Sequence, residues 1–104
     1  MNISKDNDVR TVINILSVNP ENQNELIDIW SKFLNDIAKN QPGFIGSSIH
    51  KSIDGQRVVS YSQWKSDEDF QKVFSNIAAK SYLDKQKEIS ESNDNFYQIV
   101  FTSD

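Results

Sequence analysis

Cysteine is absent from this 104-residue chain, and histidine and methionine occur once each, proline twice and glycine three times. Without cysteine there is no disulfide, no thiolate metal site and no cysteine nucleophile, a usage that agrees with a reducing compartment. The lone histidine, His50, has no nucleophile or acid pattern around it, and is expected at the surface or at an interface between subunits rather than as a base. Positive charge is also in short supply: 11 Lys and Arg stand against 15 Asp and Glu, leaving a formal net charge of −4. Phosphate recognition needs a clustered basic face, so nucleic acid is not an expected partner. No apolar run approaches the roughly 18 residues of a membrane span, and the opening MNISKDNDVR has no apolar signal-type segment. A soluble, cytoplasmic protein without membrane partners is the expectation. What the chain does have is aromatic weight, 11% of residues, enough for a bulky core or an aromatic-lined cavity.

The length suits one domain with one core. Met1 to Asp8 is polar and reads as a frayed tail, and residues 9–104 form the domain. Val9 to Val18 reads as a strand with Val12, Asn14, Leu16 and Val18 on one face and Thr11, Ile13, Ile15 and Ser17 on the other. Both faces are largely apolar, as in a strand at the centre of a covered sheet. Asn19-Pro20 then starts a helix, Asn as the cap and Pro where its missing N–H costs nothing. Leu26, Trp30, Phe33, Leu34 and Ile37 recur at helical spacing with Glu25, Asp28, Lys32, Asn35 and Lys39 opposite, an amphipathic helix of about five turns. Gln41-Pro42-Gly43 ends it.

His50 to Phe70 is the most informative run. Asp54-Gly55 is a tight-turn pair between Phe44 to Ser52 and Arg57 to Trp64, both rich in residues that favour the pleated backbone. Ser66, with Asp69 three residues on, resembles a helix cap, and the acids Asp67, Glu68 and Asp69 suit the positive end of a helix better than a metal site. Phe70, Val73, Phe74 and Ile77 form an apolar stripe that Tyr82, Leu83 and Ile89 do not continue, which predicts a break near Asn76 to Lys80. Lys80, Lys85 and Lys87 alternate with Asp84 and Glu88 on a solvated face. Ser90 to Asn95 reads as a loop and Phe96 to Thr102 as a last strand. The order β-α-β-β-α-β specifies an α+β, ferredoxin-like fold, four antiparallel strands with helices on one face. The other face would carry Ile13, Ile15, Val59 and Tyr61, an apolar area that a homodimer would cover.

Certain residues in that frame stand out as candidates. Asn14 is an amide within an apolar strand, where it must find hydrogen bonds or cost roughly 1 to 3 kcal/mol. Trp64 sits where strand becomes helix, as a pocket wall or as a core anchor. Ser60 and Ser62 share its face, as pocket donors or as small residues making room for a helix. Phe33, Phe70 and Phe74 belong to core or cavity.

The chain carries Asn14-Ile15, Asn19-Pro20-Glu21 and Pro42-Gly43-Phe44, and the run His50-x-Ser52-x-Asp54-Gly55-x-Arg57-Val58-Val59-x-Tyr61-x-Gln63-Trp64 followed by Ser66-x-Glu68-x-Phe70. In the order and spacing of these motifs it resembles, from about Val9 to Phe101, the antibiotic biosynthesis monooxygenase family. It implies a dimeric α+β barrel with a pocket between sheet and helices, in which a small electron-rich aromatic or polyketide-like compound is oxidised by dioxygen without metal or flavin. Trp64 and Asn14 would be the catalytic residues, and Ser60, Ser62, Phe33, Phe70 and Phe74 would bind substrate. The chain departs from the cofactor-free branch at Ser60, where that branch has asparagine, at Phe70, near its tyrosine, and in having no arginine after Arg57. The haem-degrading branch is matched by Asn14 and Trp64 but not by an axial histidine, Phe74 occupying that neighbourhood. The alternative is a non-catalytic ligand-binding or regulatory barrel.

Overall fold

In the computed structural model, which describes residues 9–103, the strands β1 (Arg10–Val18), β2 (Phe44–Lys51), β3 (Arg57–Trp64) and β4 (Ser90–Tyr97) build one sheet in the order β2-β3-β1-β4. Every neighbouring pair is antiparallel. The helices α1 (Gln23–Asp36), α2 (Asp67–Lys72) and α3 (Lys80–Ile89) cover one face. The expected α+β, ferredoxin-like order therefore holds, with its second helical part divided in two. The tail assigned to residues 1–8 lies outside the described residues.

Strand alternation decides which side chains meet the helices. On β1, Val12, Asn14, Leu16 and Val18 are all buried, and on β3 the buried set is Val58, Ser60, Ser62 and Trp64, with Gln63 buried as well. Leu26, Trp30, Phe33 and Leu34 of α1 close over them, as the helical spacing predicts. The reverse face of the sheet carries Ile15, 38% exposed, with Ile13, Val59 and Tyr61 half-buried beside it.

The hairpin forms as expected. Gly55 adopts φ +81°, and Asp54 closes the turn by accepting from the Ser52 hydroxyl at 2.7 Å and the Gln56 N–H at 3.0 Å. Those donors, the Ser52 hydroxyl foremost, hold the Asp54 carboxyl below the ordinary carboxylate range. Gln23, buried at the start of α1, donates its amide to the carbonyls of Ser52 and Arg57 at 3.1 and 3.0 Å, tying helix to hairpin.

Two boundaries differ from the sequence reading, each for a local reason, and the break expected near Asn76 to Lys80 is found. Residues 20–40 are not one five-turn helix: Pro20–Asn22 and Ala38–Asn40 are single 3-10 turns, and Asn19 makes no side-chain cap bond. The ladder stops at Asp36, whose carbonyl accepts from the Asn40 amide at 3.0 Å. The second helix starts where Ser66 predicts, its Oγ accepting from Asp69 N–H at 3.1 Å, and breaks at Asn76, which turns extended and caps Ala78 at 2.9 Å. Because 3-10 turns begin at Val73, the stripe of Phe70, Val73, Phe74 and Ile77 is not one buried face. Val73 is buried, Phe70 half-buried, Phe74 43% exposed and Ile77 fully in solvent. Finally, Ser90 to Asn95 is strand rather than loop, and residues 98–102 are not strand. β4 is an edge strand exposed along most of its length, so no apolar alternation marks it.

Candidate functional site

The polar groups of the inner sheet face lie in register. Asn14 on β1 is paired with Ser60 on β3, Val12 with Ser62, and Arg10 with Trp64. On the other side of β1, Asn14 is opposite Asp94 of the exposed β4 edge. This places an amide and two hydroxyls under α1, in a patch of sheet otherwise made of hydrocarbon.

Between that patch and the helices lies an enclosed hollow. Its floor is Val12, Asn14, Ser60, Ser62 and Trp64; Trp30, Phe33 and Leu34 of α1 roof it, and Phe70, Val73 and Phe74 form its side wall. All seven residues singled out from sequence, Asn14, Phe33, Ser60, Ser62, Trp64, Phe70 and Phe74, border this one space. It is narrow: the centre of a water-sized sphere has only about 20 Å³ to occupy, roughly one water. A larger depression of about 620 Å³ runs past Pro20, Arg57 and Lys87, but it is open to solvent, polar-walled and away from this floor.

Trp64 is 1% exposed and serves as wall and anchor together. Its indole meets Phe44 edge-on at 5.2 Å and Phe70 at 5.8 Å, and its N–H donates to Ser62 Oγ at 3.1 Å. Ser62 is thereby engaged within its own strand. From Phe70 the aromatic wall continues to Phe74 at 5.1 Å and to Phe96 of β4 at 5.5 Å, both partly in solvent. His50 is exposed on β2, opposite Val59, and its ring meets the Ser48 hydroxyl at 2.9 Å.

Two buried polar atoms in the described residues find no partner, and both belong to residues that border the hollow: Asn14 Oδ1 and Trp30 Nε1. Asn14 is 8% exposed and Trp30 5%. Each such atom carries the desolvation cost of a hydrogen bond surrendered on folding. Trp30 was visible in the sequence only as one apolar member of α1; the signal available there was that an indole N–H set among Leu and Phe must find an acceptor somewhere. Among the described residues no three His, Cys, Asp or Glu side chains converge as a metal site, and no helix is long and apolar enough to cross a membrane.

Comparison with known proteins adds family and fold. The model of the family described as antibiotic biosynthesis monooxygenase matches residues 10–84. The chain is 32% identical over 98 residues to the tetracenomycin-F1 monooxygenase of Streptomyces glaucescens, covering 94% of this chain and 88% of that protein. Among solved structures, SnoaB from Streptomyces nogalater, described as a cofactor-independent oxygenase, superimposes with a TM-score of 0.78 at 18% identity, over 91% of this chain and 96% of that one. Rv0793 from Mycobacterium tuberculosis does so with a TM-score of 0.76 at 12% identity, over 92% and 99%.

Proposed function

Because the chain belongs to the antibiotic biosynthesis monooxygenase family, we propose that it is a cofactor-independent monooxygenase whose substrate is a small electron-rich aromatic or polyketide-like compound. The observation that carries this reading is the unpartnered Asn14 amide oxygen in a closed aromatic hollow against Trp64. A core made only for stability has no use for such an atom; a site that must hold an oxygen of its ligand does.

In the proposed reaction a phenol or enol of the substrate loses its proton to water and the anion passes one electron to dioxygen. The resulting superoxide and substrate radical combine, forming a C–O bond. Protonation of the peroxide and loss of water, with the hydrogen on the same carbon leaving as a proton, yields a carbonyl. The balance is one CH2 and one O2 giving one C=O and one H2O. Asn14 holds the reacting oxygen, Ser60 lies beside it in the ladder, and Trp64, Phe33, Phe70 and Phe74 exclude water and flank the ring. The hollow as it stands does not admit a ring, so Phe74, already 43% exposed, moves aside on binding.

Oxygen uptake with a panel of anthrones, each carrying the CH2 that the reaction converts to C=O, tests this. One O2 is expected per quinone formed, with Asn14→Ala reducing turnover roughly 100-fold, the size of effect seen when one donor to developing charge is removed. Ligand binding without uptake by any of the panel would convert the protein into a binding module and end the enzymatic reading.

The protein is also proposed to act as a single domain over residues 9–104, in the cytoplasm, and as a homodimer whose subunits cover Ile13, Ile15, Val59 and Tyr61 against one another. The exposed apolar reverse face of the sheet supports the last point. Sedimentation equilibrium should return twice the 12.0 kDa of one chain, and a mass of one chain at micromolar concentration would remove that proposal.

A further inference from the structure

Asn14 Oδ1 and Trp30 Nε1 are opposite in kind. An indole N–H can only donate, and an amide oxygen can only accept. Asn14 borders the hollow from the sheet and Trp30 from α1, so the two orphans belong to residues on two different walls of the same narrow space. We infer that they are a two-point anchor for a single hydroxyl oxygen of the ligand, and that this anchor makes the site selective for phenols and enols over the same rings without the hydroxyl. This rests on the reading that the hollow is the substrate site, and names the group recognised there.

A hydroxyl satisfies both residues at once: it donates its proton to Asn14 Oδ1 and accepts from Trp30 Nε1. A ketone or ether oxygen satisfies only the indole. A bare hydrocarbon satisfies neither and leaves two buried polar groups unpaired, the condition under which a polar site discriminates most strongly. The indole of Trp64 cannot share the task, because its N–H is already given to Ser62 Oγ at 3.1 Å. The indole N–H left for the ligand oxygen is therefore the one carried by the helix. After proton loss the same pair still serves. Asn14 carries an N–H2 group at the other end of its amide, so a half-turn of the side chain presents a second donor to the phenolate while Trp30 keeps the first.

The ring attached to that oxygen extends toward Phe70 and Phe74. That is the side where the wall is partly exposed and where Phe96 of the edge strand meets Phe70 at 5.5 Å.

The test uses three ligands on the full chain without oxygen: 1-naphthol, 1-methoxynaphthalene and naphthalene, with binding followed by NMR chemical-shift titration. The unmodified protein should bind them in that order, each step roughly tenfold, as one lost hydrogen bond to a buried group would give. Trp30→Phe should bring ether and hydrocarbon together, and Asn14→Leu should bring naphthol and ether together. A merely structural role for either residue would lower all three affinities alike. Equal binding of the three by the unmodified protein, binding of none, or a hydroxyl preference that survives both substitutions would overturn the anchor. The two readings fail separately: hydroxyl preference without oxygen uptake removes the oxygenase and leaves the anchor, while uptake without hydroxyl preference does the reverse.

Discussion

Replacing Asn14 with leucine is expected to make the protein more stable and nearly inactive. The side chain sits 8% exposed at the centre of β1, with Val12 and Leu16 on either side of it along the same face, and its Oδ1 accepts no hydrogen bond. Leucine has nearly the same shape, and replacing an unpaired buried polar group by hydrocarbon recovers the desolvation cost, about 1 to 3 kcal/mol. For a domain of this size a gain of 1 kcal/mol raises the melting temperature by roughly 4 to 8 °C, so a rise of several degrees should be seen in a thermal scan at fixed protein concentration. Turnover should fall at least as far as it does in Asn14→Ala, because leucine leaves neither a donor nor an acceptor where the reacting oxygen is held. Stability and activity moving in opposite directions is the signature of a residue retained for function at the expense of the fold. A melting temperature below that of the unmodified chain, in a protein that keeps its secondary structure, would show that the amide is satisfied and would remove the main support for placing the site here.

Much of the site was legible in the sequence because strands and tight turns are written locally. Alternation along Val12, Asn14, Leu16 and Val18 predicts one buried face, and Asp54-Gly55 pins the β2–β3 hairpin with Trp64 at the end of its second strand; that Asn14 lies opposite Ser60 is set by the long-range pairing of β1 with β3. What could not be read is whatever depends on contact between elements. The Ser62 hydroxyl as partner of the Trp64 indole, and the absence of a partner for Trp30 Nε1, follow from how α1 lies on the sheet, which no spacing rule reports. The last strand lies earlier than its composition suggests, because pairing with β1 holds Ser90 to Tyr97 extended despite a run of Ser, Glu, Asn and Asp with little β preference. The same pairing makes Asp94 the ladder partner of Asn14. Phe70, Val73, Phe74 and Ile77 form one stripe only if α-helical spacing holds up to the break near Asn76, and the 3-10 turns from Val73 turn Phe74 and Ile77 toward solvent.

Trp64→Ala, in contrast to the Asn14 substitution, should come close to unfolding the chain. The indole is the largest fully buried side chain, held edge-on by Phe44 at 5.2 Å and Phe70 at 5.8 Å, at the point where β3 hands over to α2. Truncation removes those contacts and opens a void continuous with the existing hollow, which neighbouring backbone in the sheet cannot collapse to fill. Removing a buried tryptophan in this way costs about 3 to 5 kcal/mol, a large share of the roughly 5 to 15 kcal/mol that holds a domain of this kind together. Trp64→Phe keeps a ring in place and loses mainly the bond to Ser62 Oγ, so about 1 kcal/mol is expected. Urea unfolding at matched concentration compares the two. A cost below about 1 kcal/mol for the alanine variant would mean that the void refills and that Trp64 is not the anchor of this corner. The size of the expected alanine effect also settles which variant speaks to chemistry: activity lost in Trp64→Ala follows from a damaged fold, whereas activity lost in Trp64→Phe, with most of the stability kept, identifies the indole itself as part of the reaction.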